Sequence, residues 1–235
     1  MKISLYKAIL GSYDHYPVPL DYHNCSAFQK YIFTNDDLHI ENWEHIKVDC
    51  NDPITENRKY KMCPWDFIDS DYSIYLDGHI NPGPSFFSYV KSIIALRVPF
   101  AAQLHRQRGT VANEFVRCLD ARKLNSSEVY NLAGSNFDFS LPAIECGFMI
   151  RDHNSDLARN HGNLWFEMFG SICKRDQLLV NAAAEKAGMP IHRIQTDFND
   201  TNNFKLKLHK NVRVKDIKNR ISIASRVLRY GSMLK

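Results

Sequence analysis

No run of 18 consecutive apolar residues occurs in this 235-residue chain, so no segment matches a membrane-spanning helix in length. The opening stretch, Met1 to Leu10, holds an apolar run broken by Tyr6 and Lys7, too short for the hydrophobic part of a signal sequence. The six cysteines, at 25, 50, 63, 118, 146 and 173, form no Cys-x-x-Cys pair and no ladder of short spacings. A zinc cluster or a disulfide framework is therefore not expected, and reduced, mostly buried thiols in the cytoplasm are. Internal repeats and low-complexity linkers are absent too. What remains is long for one domain and short for two, with a 44% hydrophobic fraction that suits a single α/β core.

Negative charge is scarce at the C-terminal end. Residues 205–235 carry ten Lys or Arg against one acid, Asp216, so the formal charge of +4 conceals an acidic body and a basic arm. We expect a catalytic-sized domain over 1–200 and a separate tail over 201–235. Within the tail, Val214, Ile217, Ile221, Ala224 and Leu228 recur at helical spacing, while most of the basic residues fall elsewhere on the wheel. Such a helix lies on an anionic membrane surface, at the inner face of the membrane, or packs on the body or against another copy in an oligomer. Nucleic acid is not expected as a partner.

In the body, apolar segments suited to strands alternate with segments of helical period. Strands are predicted at 3–10, 30–34, 45–48, 73–76, 100–104 and 144–150. Helices are predicted at 56–67, 85–96, 110–123, 126–133, 156–173 and 176–188. That alternation means a mixed, mostly parallel sheet flanked by helices, a Rossmann-like α/β fold. Ligands of such sheets bind outside the C-terminal ends of the strands. Five polar clusters are predicted there: Gly11-Ser-Tyr-Asp14, Thr34-Asn35-Asp36-Asp37, Asp77-Gly78-His79, His105-Arg106 and Arg151-Asp-His-Asn154.

The stretch from Asn57 to Pro82 is the most informative. A basic helix bearing Arg58, Lys59 and Lys61 precedes a strand that ends in Asp77-Gly78-His79. Alternate residues of a strand face one side, so Asp77 and His79 are placed to hold one divalent cation. Positions 58 and 61 share a helical face and suit a phosphate-bearing ligand. The plainer alternatives are a turn acid, a surface histidine and a solvated basic face. Asp176 and Gln177 open a helix, where Asp176 serves either as a cap or as a carboxylate for sugar hydroxyls or an acceptor proton. Glu145 is a second carboxylate of that kind, and His105 a strand-end imidazole. Gly11 permits close backbone approach to a nucleotide, and Tyr13 offers a ring to stack on its base.

Taken in order, these segments resemble a glycosyltransferase-like family of the GT-A type that includes the plant mucilage-related proteins and bacterial relatives. The likeness rests on Gly11-Ser-Tyr-Asp14, on Phe33-Thr34-Asn35, on Arg58 with Lys61, and on Asp77-Gly78-His79. It continues through His105-Arg-Gln-Arg108 with Glu114, then Gly147 with Arg151, His153 and Asn154, Trp165, and Arg175-Asp176-Gln177. It covers about residues 3–188. A looser similarity reaches the retaining galactosyltransferases and glycogenin, although Glu145-Cys-Gly147 stands where those show Asn-x-Gly and His79 stands in place of an Asp.

The resemblance implies a metal-dependent transfer of a sugar from a nucleoside-diphosphate sugar, UDP-linked, to a glycan or lipid-linked acceptor, with retention of anomeric configuration. It implies Mn2+ or Mg2+ held by Asp77 and His79, with a third ligand from the C-terminal part, His209 or His192. Donor contacts are expected from Gly11, Tyr13, Asp14, Thr34, Asn35, Arg58, Lys61, Asp77, Gly78 and Arg151. Catalytic roles are expected among Asp176, Gln177, Glu145 and His105. Two other readings stay open: a non-catalytic nucleotide-sugar or glycan-binding module on the same fold, and a hydrolase that pairs Glu145 with Asp176.

Overall fold

Along β1 (Ile3–Ile9), Ile3, Leu5 and Ile9 point to one face of the sheet while Tyr6 and Ala8 point to the other, and each face meets its own apolar cluster. The computed structural model describes residues 1–11, 16–17, 25–37, 39–195 and 198–207. The remaining strands are β2 (Gln29–Thr34), β3 (Glu44–Lys47), β4 (Tyr72–Leu76), β5 (Ile80–Pro82), β6 (Phe100–Leu104), β7 (Ile144–Asp152), β8 (His192–Ile194) and β9 (Phe204–Leu206). Seven of them form one sheet in the order β3-β2-β1-β4-β7-β6-β8, and β5 pairs with β9 in a small second sheet. Every neighbour pair in the large sheet is parallel except the two that involve β7.

Helices cover both faces. α1 (Pro53–Met62), α3 (Val111–Asp120), α4 (Ser126–Ala133), α5 (Asp156–Ser171) and α6 (Asp176–Ala187) contribute to the larger cluster, around Tyr6, Phe33, Tyr75 and Phe100. α2 (Phe86–Ile94) packs with Ile32, Ile74, Phe148 and Phe204 on the opposite face. This is the mixed, mostly parallel α/β architecture expected from the sequence. All six cysteines are free thiols, four of them buried. Among the described residues no helix is long and apolar enough to cross a membrane.

Local differences have local causes. α1 begins three residues earlier than predicted because Asp52 caps it, accepting from the amides of Ile54 and Thr55 at 3.1 and 3.2 Å, with Pro53 at the first turn. It ends at Met62, ahead of Pro64. β5, β8 and β9 were not predicted, since three residues are too few to show a period. β9 lies beyond the boundary expected at 200, and its Phe204 is fully buried. The predicted tail helix and His209 fall outside the described residues.

The orientation of β7 decides what reaches the functional edge of the sheet. Because β7 runs against its neighbours, its N-terminal half, with Glu145, lies beside the C-terminal end of β6, where Glu145 pairs with Gln103. Its C-terminal end, with Arg151, lies at the opposite edge, paired with Ser73 and Phe100 near the starts of β4 and β6.

Candidate functional site

A cleft of about 270 Å3 opens at the C-terminal ends of β1, β4 and β6. Nine of the residues singled out in the sequence line it: Arg58, Lys61, Asp77, Gly78, His79, His105, Glu145, Asp176 and Gln177. They arrive from α1, the turn after β4, the end of β6, the start of β7 and the start of α6. Asn57, Tyr75, Arg108, Lys123 and Arg175 line it as well. Five Lys or Arg thus face three carboxylates, and with the buried Glu114 that pairs with Arg108 and Arg175 the excess of positive charge is one, which suits an anionic ligand.

Lys61 is the hub of the cleft floor. Its ammonium, 3% exposed, donates to Asp176 Oδ2 at 2.8 Å and lies 3.4 Å from Asp77 Oδ1. Arg58 Nε approaches the same Asp176 oxygen at 3.3 Å. Burial alone would push the Asp176 carboxyl up, but Arg58, Lys61 and Arg175, together with the Lys61 hydrogen bond, outweigh it and hold the group well below the usual carboxylate range. Asp176 is therefore a fixed negative charge. So acidic a group is a poor base, which favours contact with sugar hydroxyls over uptake of an acceptor's proton. It also fills no helix cap: Arg175 occupies the cap position, and Asp176 is the first residue of α6.

Asp77 is half turned to the cleft, with 31% of its side chain exposed. Tyr75 donates its hydroxyl to Oδ1 at 2.8 Å. The other oxygen faces Gly147, where an added Cβ would stand 3.2 Å from it and 2.9 Å from Ile80 Cδ1. Gly147 thus leaves Asp77 its room. β4 ends at Leu76, and residues 77 to 80 form a turn closed by the Ile80 amide on the Asp77 carbonyl at 2.9 Å. The strand alternation invoked for Asp77 and His79 therefore does not operate there, and both reach the cleft through the turn instead. Among the described residues no group of three His, Cys, Asp or Glu stands ready to hold a metal ion.

Across the cleft, Glu145 and His105 form the second chemical pair, with Nε2 and Oε2 3.8 Å apart. Burial and the negative charge of Asp77 raise the Glu145 carboxyl, against the pull of Arg108, His79 and Lys61. Burial and the neighbouring Arg108 lower His105 to about 4, so its ring is neutral at neutral pH. Its Nδ1 accepts from the Gln107 amide at 3.3 Å, which places the ring proton on Nε2, towards Glu145. Behind this pair the buried Glu114 holds two guanidiniums, Arg108 in direct contact and Arg175 at 3.7 Å.

The nucleotide-side expectations fare unevenly. Gly11 adopts a left-handed φ of 71° and donates its amide to Asn35 Oδ1 at 2.9 Å, joining the ends of β1 and β2 next to Leu10 on the cleft wall. Tyr13 and Asp14 lie outside the described residues. Thr34 is buried and accepts from the Asp36 amide, so it shapes its own turn and does not line the cleft. Arg151 is the clearest correction. It is fully buried at the far edge of the sheet, over the rings of Phe100 at 5.1 Å and Trp165 at 5.9 Å, because β7 runs antiparallel. Trp165 is fully buried in the core.

Among residues given no role beforehand, Arg108 and Arg175 were at least legible, one in the His-x-x-Arg segment and the other adjoining Asp176. Lys123 was not, since it follows a left-handed Arg122 just past α3 and carries no local signal.

No family model matches this chain, and neither does any curated protein. Among solved structures, the bifunctional IspDF from Campylobacter jejuni is similar over 85% of this chain and 51% of its own, at 11% identity and a TM-score of 0.44. This chain thus spans about half the length of that protein. At that distance the likeness speaks to neither substrate nor reaction.

Proposed function

We propose that this protein is a glycosyltransferase that takes a sugar from a nucleoside-diphosphate donor, UDP-linked by the resemblance given above, and passes it to a glycan or lipid-linked acceptor. The observation that carries the reading is the cationic cleft at the C-terminal sheet edge, which gathers Arg58, Lys61, Arg108, Lys123 and Arg175 around Asp77, His79 and Glu145. A diphosphate needs that surplus of positive charge, and it leaves more readily where fixed cations meet the charge it acquires.

In this reading the acceptor hydroxyl oxygen bonds to the anomeric carbon as the bond from that carbon to the phosphate oxygen breaks, a single displacement that inverts the anomeric centre in place of the retention the resemblance implies. The hydroxyl proton goes to Glu145, the carboxylate whose affinity for a proton is raised, and the electron pair leaves with the diphosphate. His105, neutral, stands beside Glu145 with Nε2 3.8 Å from the carboxylate. Asp176, locked by Arg58 and Lys61, keeps the cleft floor in shape beside Gln177. Asp77 and His79 fit a divalent cation of the Mn2+ or Mg2+ kind, which keeps waters and substrate phosphates as ligands and needs only one or two protein groups. Bound there, it would supply further neutralisation of the diphosphate.

A module that binds the donor without turning it over is the second reading. One observation favours it: Lys61 neutralises Asp77 and Asp176 together. Titration calorimetry with UDP and Mn2+ tests the shared premise. Wild type should give binding heat, and Asp77→Ala should weaken it at least tenfold, by about 1.4 kcal/mol. Absence of heat, or an unchanged Asp77→Ala, sinks both readings. Transfer or hydrolysis of a UDP-sugar then separates the enzyme from the module.

A further inference from the structure

Lys7 interrupts an apolar row. It shares its face of β1 with Ile3, Leu5 and Ile9, all buried in the smaller core cluster, and it is itself fully buried. An ammonium in such a layer costs stability unless oxygen atoms surround it. Here they do. Its Nζ donates to the carbonyl of Asp77 at 3.1 Å, to that of Gly78 at 3.0 Å and to that of Ile80. The remaining carbonyl of the turn, that of His79, accepts from the Lys207 amide at 2.8 Å. All four carbonyls between 77 and 80 are thereby engaged, three of them on one point, as backbone oxygens converge on a bound cation.

We infer that Lys7 is a positioning residue for the candidate site: its ammonium gathers the turn carbonyls and so presents the side chains of Asp77 and His79 to the cleft. The inference rests on the reading of that cleft as a diphosphate site. It adds to that reading a fixed positive charge beneath the turn, on the side away from solvent. A methionine at this place would fill similar volume and remove the donor that three carbonyls share, leaving that of Asp77 with the Ile80 amide alone. The turn would then have to rearrange, and Asp77 with it.

The test compares Lys7→Met with Leu5→Ala, a cavity-forming change on the same strand face two residues upstream. In the ligand-free protein, hydrogen exchange across 77–80 should quicken about tenfold or more in Lys7→Met and stay near wild type in Leu5→Ala. UDP affinity in the presence of Mn2+ should fall about 10- to 100-fold in Lys7→Met and stay within about twofold in Leu5→Ala. Equal exchange and equal affinity in the two variants would overturn the inference and leave Lys7 a core residue. If Lys7→Met does not fold, Lys7→Gln, which removes the charge and shortens the reach to the turn carbonyls, is measured in the same way. Failure of both to fold also overturns it, making Lys7 a folding requirement. Wild type that binds no UDP would end the diphosphate reading, while the exchange comparison would still decide whether Lys7 holds the turn.

Discussion

Replacing Lys61 by methionine is the most direct probe of the cleft floor. The ammonium and Asp176 are 3% and 5% exposed and 2.8 Å apart, so the pair behaves as a buried one. Removing one partner of such a pair typically costs about 3–5 kcal/mol, because the other charge is left in a poorly solvated place. Arg58 remains 3.3 Å from Asp176, which puts the expected loss at the lower end, about 3 kcal/mol. For a chain of this size that is about 6–12 °C in Tm. Urea unfolding at neutral pH measures it. The pH dependence supplies a second check. The Asp176 carboxyl lies below its unfolded value, so its stabilising contribution is complete above about pH 4 and is lost as the pH falls from there towards the folded pKa. The gap between wild type and Lys61→Met should therefore be full at pH 7 and narrow below pH 4. Adding Asp176→Leu to Lys61→Met should recover little of the loss, since Arg58, 3.3 Å from Asp176, then loses its own carboxylate. A Lys61→Met variant less than about 1 kcal/mol below wild type would refute the reasoning, because that is the size of an exposed pair.

Glu145→Gln should lower sugar transfer by about 10^2- to 10^4-fold, the usual contribution of a general base, while UDP binding measured by calorimetry changes little. Equal losses in both would make Glu145 a binding group instead. His161 is fully buried, and burial, reinforced by Arg151, lowers its pKa to about 3. Its contribution is present above about pH 6.5 and is lost as the pH falls towards 3, so His161→Phe should flatten the acid limb of a stability profile between those limits.

Much of the fold could be read from the chain because long strands and helices repeat their apolar residues often enough to declare a period. β1, β7, α5 and α6 are of that kind, and their bounds came within about two residues of those observed. The three-residue strands were invisible, since they exist only through their partners. The site was legible where a motif sits at the end of a parallel strand, as Asp77 and His105 do, or opens a helix, as Asp176 does. It was misread where direction mattered. A sequence pattern marks a strand and its polar end but does not say which way the strand runs. That single ambiguity placed Arg151 at the functional edge, when β7 in fact brings Glu145 there. The state of Asp176 was equally hidden, because its charge is fixed by Arg58 and Lys61, more than a hundred residues away in sequence.

Arg151 nevertheless bears on the site from behind. Its guanidinium hydrogen-bonds to the Tyr6 hydroxyl at 3.4 Å, and that hydroxyl donates to the Lys61 carbonyl at 3.3 Å. The same guanidinium lies over Trp165, whose indole N–H donates to the Asp176 carbonyl at 3.0 Å. The backbone at both members of the Lys61–Asp176 pair is thus tied, through one aromatic side chain each, to one buried cation. Close-packed layers transmit such constraints because their rings have little room to shift. An arginine in an aromatic layer is costly to bury, and its placement is understandable if what it secures is the relative position of α1 and α6. On that view the polar residues in the core of this protein are not scattered defects. Lys7 under the turn and Arg151 behind the ion pair each hold, from the dry side, a piece of backbone whose side chain works on the wet side.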